Sequence, residues 1–191
     1  GAGYMMSQLT EEEKARGVIA CSAGNHAQGG ALAAAKYGIK SIICLPDGAP
    51  MSKVEATKSY GAEVVMVKGV YDDAYNHALK LRDENGYTFV HPFDNDDVIA
   101  GQGTIGLEIL NELKDIDAIV VPVGGGGLLA GISTLAKLLN PKIRVIGVEP
   151  MGANCMQESL RKGEIVTLPS VDTIADGTAV KTPGGKIFPY I

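Results

Sequence analysis

The chain has 191 residues, 46% of them hydrophobic and 20% charged, enough apolar content to pack one large or two small domains. A net charge of −5 with no local Lys/Arg cluster argues against a nucleic-acid surface. No apolar run approaches the roughly 20 residues of a membrane helix, and the start lacks a basic-then-apolar leader.

In chain order, Thr10-Glu11-Glu12-Glu13 has capping-box spacing and opens a short helix. Apolar runs predict strands over Val18–Cys21, Ser41–Leu45, Glu63–Val67, Tyr87–Val90, Ala118–Val123 and Arg144–Glu149. Helical patterns fall between them, over Asn25–Tyr37, Lys53–Tyr60, Tyr71–Asn85, Thr104–Leu113 and Leu128–Leu139. Gly38, Gly61 and Gly86 stand just past helix ends, as C-cap glycines do. Alternating strands and helices with short connections imply an α/β fold with parallel sheets.

Pro92 and the polar run Asp94-Asn95-Asp96-Asp97 interrupt the pattern, so we expect a linker and short helix over 1–16, a small lobe over 17–94 and part of a larger lobe over 95–191. Gly1 enters directly into a pattern and Ile191 stops within one, which reads as a fragment. Cys21, Cys44 and Cys155 are odd in number and lack C-x-x-C spacing, the expectation for a reduced, cytoplasmic protein with neither disulfide nor zinc.

Ser22-Ala23-Gly24-Asn25-His26-Ala27-Gln28-Gly29 joins a strand to an alanine-rich helix. Helix N-termini carry unpaired N–H donors and partial positive charge, so this turn suits a carboxylate or phosphate, with a hydroxyl, an amide and an imidazole around it. A structural role for His26 at the start of the helix remains open. Val123-Gly124-Gly125-Gly126-Gly127-Leu128 makes a second strand-to-helix turn whose N–H groups can form an anion nest. It is no Walker A loop, because Lys and Ser/Thr do not follow.

The same segment carries a rival reading. Gly125, Gly127 and Ala130 fit G-x-G-x-x-A, and Glu149 ends the next strand about 20 residues later, as in a dinucleotide fingerprint. An NAD-binding Rossmann-type protein is therefore an alternative, although several β-α units precede this loop and the fingerprint usually opens its domain. His77 reads as a surface residue of a helix and His91 as a local hydrogen-bonder. Asp94, Asp96 and Asp97 read as a solvated loop. Ile99–Gly106 reads as a further tight loop opening a helix.

These segments, with Val98–Glu108, Val145–Pro150 and Ile174–Val180, stand in the order found in one group of enzymes. Across essentially its whole length the chain resembles the threonine dehydratase/serine racemase group of fold-type II pyridoxal-phosphate enzymes. The resemblance implies two open parallel-sheet α/β lobes with the cofactor cleft between them. It implies a PLP-dependent ammonia-lyase that converts L-threonine or L-serine to a 2-oxo acid and ammonia, in amino-acid metabolism.

By that resemblance the cofactor, pyridoxal 5′-phosphate, has its phosphate on Gly124, Gly125, Gly126, Gly127 and Leu128. Its 3′ oxygen lies on Asn25, and Gly177 lies near its ring. Ser22, Gly24, Asn25 and His26 hold the substrate. The Schiff-base lysine belongs to a motif of which Gly1-Ala2 matches only the end, three residues before Gly1, so residues 1–191 alone are expected to be inactive. The C-terminal partner of the pyridine nitrogen is also expected outside them. Serine racemase is an alternative, but racemases carry serine where this chain has Ala23, which has no ionisable group. A noncatalytic cofactor-binding fragment is another. The group's divalent-metal site would use Glu149 and the Ala153 carbonyl, but Cys155 replaces its Asp, and hard cations want oxygen ligands. A small amino-acid substrate and a homo-oligomeric full-length enzyme are expected, with neither nucleic acid nor membrane as partner.

Overall fold

Short runs of aliphatic residues, each followed by a helix, return every strand in the same direction and build parallel sheets. The computed structural model describes residues 1–191, which divide into two compact units, Ala2–Pro92 and Phe93–Ile191, with Gly1 joining the second.

The Ala2–Pro92 unit runs α1 (Ala2–Gln8), α2 (Glu11–Arg16), β1 (Val18–Cys21), α3 (Asn25–Tyr37), β2 (Ser41–Pro46), α4 (Met51–Ser59), β3 (Glu63–Val67), α5 (Tyr71–Asn85) and β4 (Thr88–Phe89). Its sheet has the order β3-β2-β1-β4 and is parallel throughout. The central strands β1 and β2 are buried on both faces, which is why they read as continuous apolar runs instead of alternating. Ile19, Cys21, Ile42 and Cys44 pack with Ala74 and Ala78 of α5. The alternate residues Val18, Ala20, Ile43 and Leu45 are also buried and point to the other face. Full burial of Ile19, Ile43 or Leu45 contributes about 1.5–3 kcal/mol each.

Helix α3 contacts β1 and β2 and buries Ala27, Ala31 and Ala34, whose small side chains allow a close approach. Thr10 and Glu13 close the expected capping box at α2: the Glu13 N–H donates to Thr10 Oγ1 at 3.2 Å and the Thr10 N–H to Glu13 Oε2 at 2.8 Å. The preceding α1, which the sequence pattern does not announce, packs on α3 and buries Met5 and Met6. β4 is shorter than its apolar run. Val90 still donates its N–H to Ile19 at 2.9 Å, but its carbonyl leaves the ladder and meets the His26 ring.

The second unit contains α6 (Asp96–Glu112), β5 (Ala118–Pro122), α7 (Gly127–Leu139), β6 (Arg144–Val148) and α8 (Cys155–Lys162). β5 and β6 pair in parallel from Ala118–Arg144 to Pro122–Val148. Ile119, Val121 and Val123 pack with Ile99, Leu129, Ile132, Met156 and Ile187. After α8 the chain carries only short 3-10 turns, at Asp176–Thr178 and Phe188–Tyr190.

One expectation is corrected here. Ile99–Gly106 is not a loop but the interior of α6, which starts at Asp96 instead of Thr104. The start is fixed by Asn95, whose Oδ1 accepts the N–H groups of Asp97 (2.9 Å) and Val98 (3.1 Å), with Asp96 and Asp97 favourably placed in the first turn. The glycines mark a helix contact. A Cβ on Gly103 would lie 3.2 Å from the Gly131 carbonyl oxygen of α7, and one on Gly131 only 2.4 Å from the Ile99 carbonyl oxygen. Each helical glycine costs about 1 kcal/mol in propensity, which the close α6–α7 packing offsets.

Candidate functional site

The first donor set lies where β1 hands over to α3. Ser22 and Gly24 are half-buried, and Gly24 is the N-cap of α3 with no side-chain cap bond. The Gly24 N–H is taken by Ser22 Oγ at 3.2 Å, which leaves the Ser22 hydroxyl proton free to donate elsewhere. The next N–H groups, of Asn25, His26 and Ala27, fall in the first turn of the helix, where no intrahelical acceptor exists. Their partial positive charge suits an anion. The Asn25 side chain is exposed at this end of the helix.

His26 stands in the same turn, and its ring is already engaged. Nε2 lies 2.9 Å from the Val90 carbonyl oxygen, so that nitrogen donates its proton there. Burial pushes the imidazole down to about 4, against the opposing pull of the Val90 carbonyl, and nearby His91 lowers it further. The ring is therefore neutral near pH 7. It ties the head of α3 to the end of β4, and what it offers an anion is its main-chain N–H.

The second donor set is the glycine turn between Val123 and α7. Gly126 is the N-cap with φ 98°, in the left-handed region that favours glycine, and no side chain caps the helix. The first intrahelical bond is from Ala130 N to Gly126 O at 2.9 Å. The N–H groups of Gly124, Gly125, Gly126, Gly127 and Leu128 have no acceptor in the chain, although Gly125, Gly126 and Gly127 are buried residues. A row of adjacent N–H groups without a chain acceptor, at a helix N-terminus, forms a nest suited to an anion. The turn is also clamped. A Cβ on Gly125 would lie 2.4 Å from the Phe93 ring, one on Gly126 2.6 Å from Met156 Cε and 2.7 Å from Ile187 Cγ2, and one on Gly127 3.0 Å from Phe93 Cβ.

Gly177 is exposed in its 3-10 turn, and its carbonyl oxygen would lie 3.5 Å from a Cβ on Gly124, so that segment borders the glycine turn. Glu149 has a different occupation. Oε1 accepts the Met156 N–H at 3.0 Å and Oε2 the Gln157 N–H at 2.8 Å, so both oxygens cap α8. Cys155 is fully buried, and burial first, then the Glu149 charge, push its thiol up to about 11, so it stays protonated. Ala153 is buried beside them. A protonated thiol and a carboxylate spent on a helix cap do not fit a hard divalent cation, and no group of three or more His, Cys, Asp or Glu gathers anywhere in the structure. No helix is long and apolar enough to cross a membrane.

A family model described as "Pyridoxal-phosphate dependent enzyme" matches residues 1–191. The chain belongs to that pyridoxal-phosphate-dependent enzyme family. It is 48% identical over 191 residues to an L-threonine ammonia-lyase of Thermotoga maritima and 50% identical over 191 residues to one of Geobacter sulfurreducens; each comparison covers 100% of this chain and 48% of the relative. The chain thus spans about half the length of these curated relatives. Among solved structures, the processed form of threonine deaminase isoform 2 from Solanum lycopersicum superposes with a TM-score of 0.96 at 47% identity, covering 99% of this chain and 55% of that one. Maize serine racemase superposes with a TM-score of 0.95 at 39% identity, covering 99% and 57%. Within the pyridoxal-phosphate family the orphaned donors of the glycine turn fit the cofactor's phosphate. Glu149, the acidic residue of the dinucleotide alternative, turns both oxygens to N–H groups of α8.

Several residues that shape these donor sets escape a reading of residue types. Val90 offers only its carbonyl, and Phe93 and Ile187 act by packing, so none carries a chemical signature. Asp94 does carry one, but a run of acidic residues reads as solvated. In the structure its carboxylate accepts main-chain N–H groups near the chain's end: Oδ1 from Lys186 at 2.8 Å and Oδ2 from Gly185 at 3.2 Å.

Proposed function

We propose that this chain is part of a pyridoxal-phosphate-dependent threonine/serine ammonia-lyase that converts L-threonine or L-serine to a 2-oxo acid and ammonia. The observation that carries the reading is 48–50% identity over the entire chain to proteins named L-threonine ammonia-lyase. The unpaired N–H groups of the two strand-to-helix turns give it a physical basis, since cofactor phosphate and substrate carboxylate are both anions.

In this proposal the N–H groups of Gly124, Gly125, Gly126, Gly127 and Leu128 hold the phosphate, and Gly177 borders the ring. The Asn25 amide donates to the 3′ oxygen. The Ser22 hydroxyl and the main-chain N–H groups of Asn25 and His26 orient the substrate carboxylate, while Gly24 sets the turn. The neutral His26 ring adds no charge there; it holds the turn in place through Val90. When bound, pyridoxal phosphate supplies an electron sink that makes loss of the α-proton and then the β-hydroxyl accessible.

Serine racemase is the second reading, favoured by the superposition on the maize enzyme. Ala23, half-buried in the substrate turn, argues against it, because a methyl group cannot exchange a proton at the α-carbon. The buried free thiols suit a reducing cytoplasm, and we expect a homo-oligomer. The test supplies the full-length protein with pyridoxal phosphate and either L-threonine or L-serine, and follows 2-oxo acid and ammonia together. Equal amounts of both are expected, and borohydride reduction followed by peptide mapping should find one pyridoxyl-lysine. Turnover of neither amino acid by the cofactor-loaded protein would overturn the proposal.

A further inference from the structure

The glycine turn is held from two directions by segments far apart in sequence. Phe93 lies against Gly125 and Gly127, while Ile187, fully buried, lies against Gly126. Between these contacts the Gly184 N–H donates to the Gly125 carbonyl oxygen at 3.0 Å. No peptide bond in the chain is cis. In a planar trans peptide the carbonyl and the following N–H point in opposite directions, so fixing the Gly125 carbonyl also fixes the Gly126 N–H. One side chain links the two clamping segments. Asp94 directly follows Phe93, and its carboxylate takes the N–H groups of Gly185 and Lys186, which directly precede Ile187. The fit is tight: a Cβ on Gly184 would lie 2.5 Å from Asp94 Oδ1 and 2.6 Å from Ile187 Cδ1.

We propose that Asp94 is a positioning residue for phosphate anchoring, buckling the Gly184–Ile187 turn onto the glycine turn so that the Gly126 N–H is aimed before the anion arrives. This rests on the reading that Gly124–Leu128 hold the cofactor phosphate. Pre-aimed donors save the ordering cost of binding, so losing the buckle weakens the phosphate contact specifically. The neighbouring Lys186–Asp96 ion pair, at 3.2 Å, is exposed on both sides and is not part of the device.

The test compares pyridoxal 5′-phosphate with pyridoxal, which lacks the phosphate, as ligands of the full-length protein, with the ³¹P resonance of the bound phosphate as a second readout. Asp94→Ala should weaken the phosphorylated ligand by about tenfold, leave pyridoxal within about twofold, and shift or broaden the ³¹P signal. Asp94→Asn keeps one acceptor oxygen and should fall between, and it decides the matter should Asp94→Ala fail to fold. Lys186→Ala, which spares the Lys186 main-chain N–H, should match the parent. Equal losses for both ligands, or no loss for either, would overturn the role of Asp94. A parent protein that binds both ligands equally would overturn the phosphate reading itself, and this proposal with it.

Discussion

His26 offers a sharp test, because its packing makes a statement about pH. In the folded chain the ring is neutral and donates to the Val90 carbonyl oxygen at 2.9 Å, with its protonation held down to about 4 against an ordinary value of 6.5. Between those values the unfolded chain binds a proton that the folded chain refuses. The contribution of His26 is therefore fully present above pH 6.5 and is lost as pH falls toward 4. At 1.36 kcal/mol per pH unit, the window amounts to about 3 kcal/mol. His26→Gln keeps a donor for Val90 and removes the titration. Near pH 7 the variant should be less stable by about 1 kcal/mol, the cost of a poorer hydrogen bond. Urea unfolding of both proteins between pH 7 and pH 4 should then show the two stability curves crossing, with the variant the more stable at pH 4. Carboxylates common to both proteins cancel in the difference. Parallel curves would refute the neutral imidazole held on Val90.

Other outcomes follow from the packing and the turn chemistry. Gly131→Ala should cost about 3 kcal/mol and lower Tm by several degrees, since its Cβ would meet backbone, the Ile99 carbonyl oxygen, at 2.4 Å. Gly163→Ala, at φ 73° with open space around it, should cost only about 1 kcal/mol, and equal effects in a thermal melt would refute the close α6–α7 contact. Burial raises the thiols of Cys21 to about 12 and of Cys44 and Cys155 to about 11, so none should react with a disulfide reagent at pH 8 until the chain is unfolded. Rapid labelling of the folded protein would contradict that burial. With L-serine, chiral chromatography should detect no D-serine, as Ala23 lacks an exchangeable proton; D-serine at a rate comparable to pyruvate would favour the racemase reading.

Much of the fold is legible because a parallel sheet leaves a simple trace. β1, β3, α3 and α5 occupy the ranges their patterns predict, since β1 is a buried, uniformly apolar strand and the two helices end at glycines, Gly38 (φ 65°) and Gly86 (φ 72°). The misreadings have physical reasons. Gly103 and Gly106 signal a loop by propensity, yet α6 keeps them because α7 presses against that face. Local preference loses there to a tertiary contact. α1 and α8 are only seven and eight residues long, too short for the apolar period to stand out. β4 ends early because a side chain from α3 takes the carbonyl that would have continued it.

The glycine turn shows why the site was harder to read than the fold. Glycine permits left-handed backbone, close approach of other atoms and open N–H groups, and a sequence does not say which of these is in use. Here all three coincide: Gly126 needs its φ of 98°, Gly125 and Gly127 leave room for Phe93, and the N–H groups stay unpaired. That overlap kept dinucleotide and phosphate readings in competition at the level of residue types. What divides them is the environment. A phosphate suits a row of N–H groups without chain acceptors, and a dinucleotide ribose suits an acidic oxygen turned toward it. Here the N–H groups have no chain acceptor, and both Glu149 oxygens accept N–H groups of α8. The residues that hold this turn in shape, Phe93, Asp94 and Ile187, come from segments that carry no motif, so their role emerges only once the chain has folded them around the glycines.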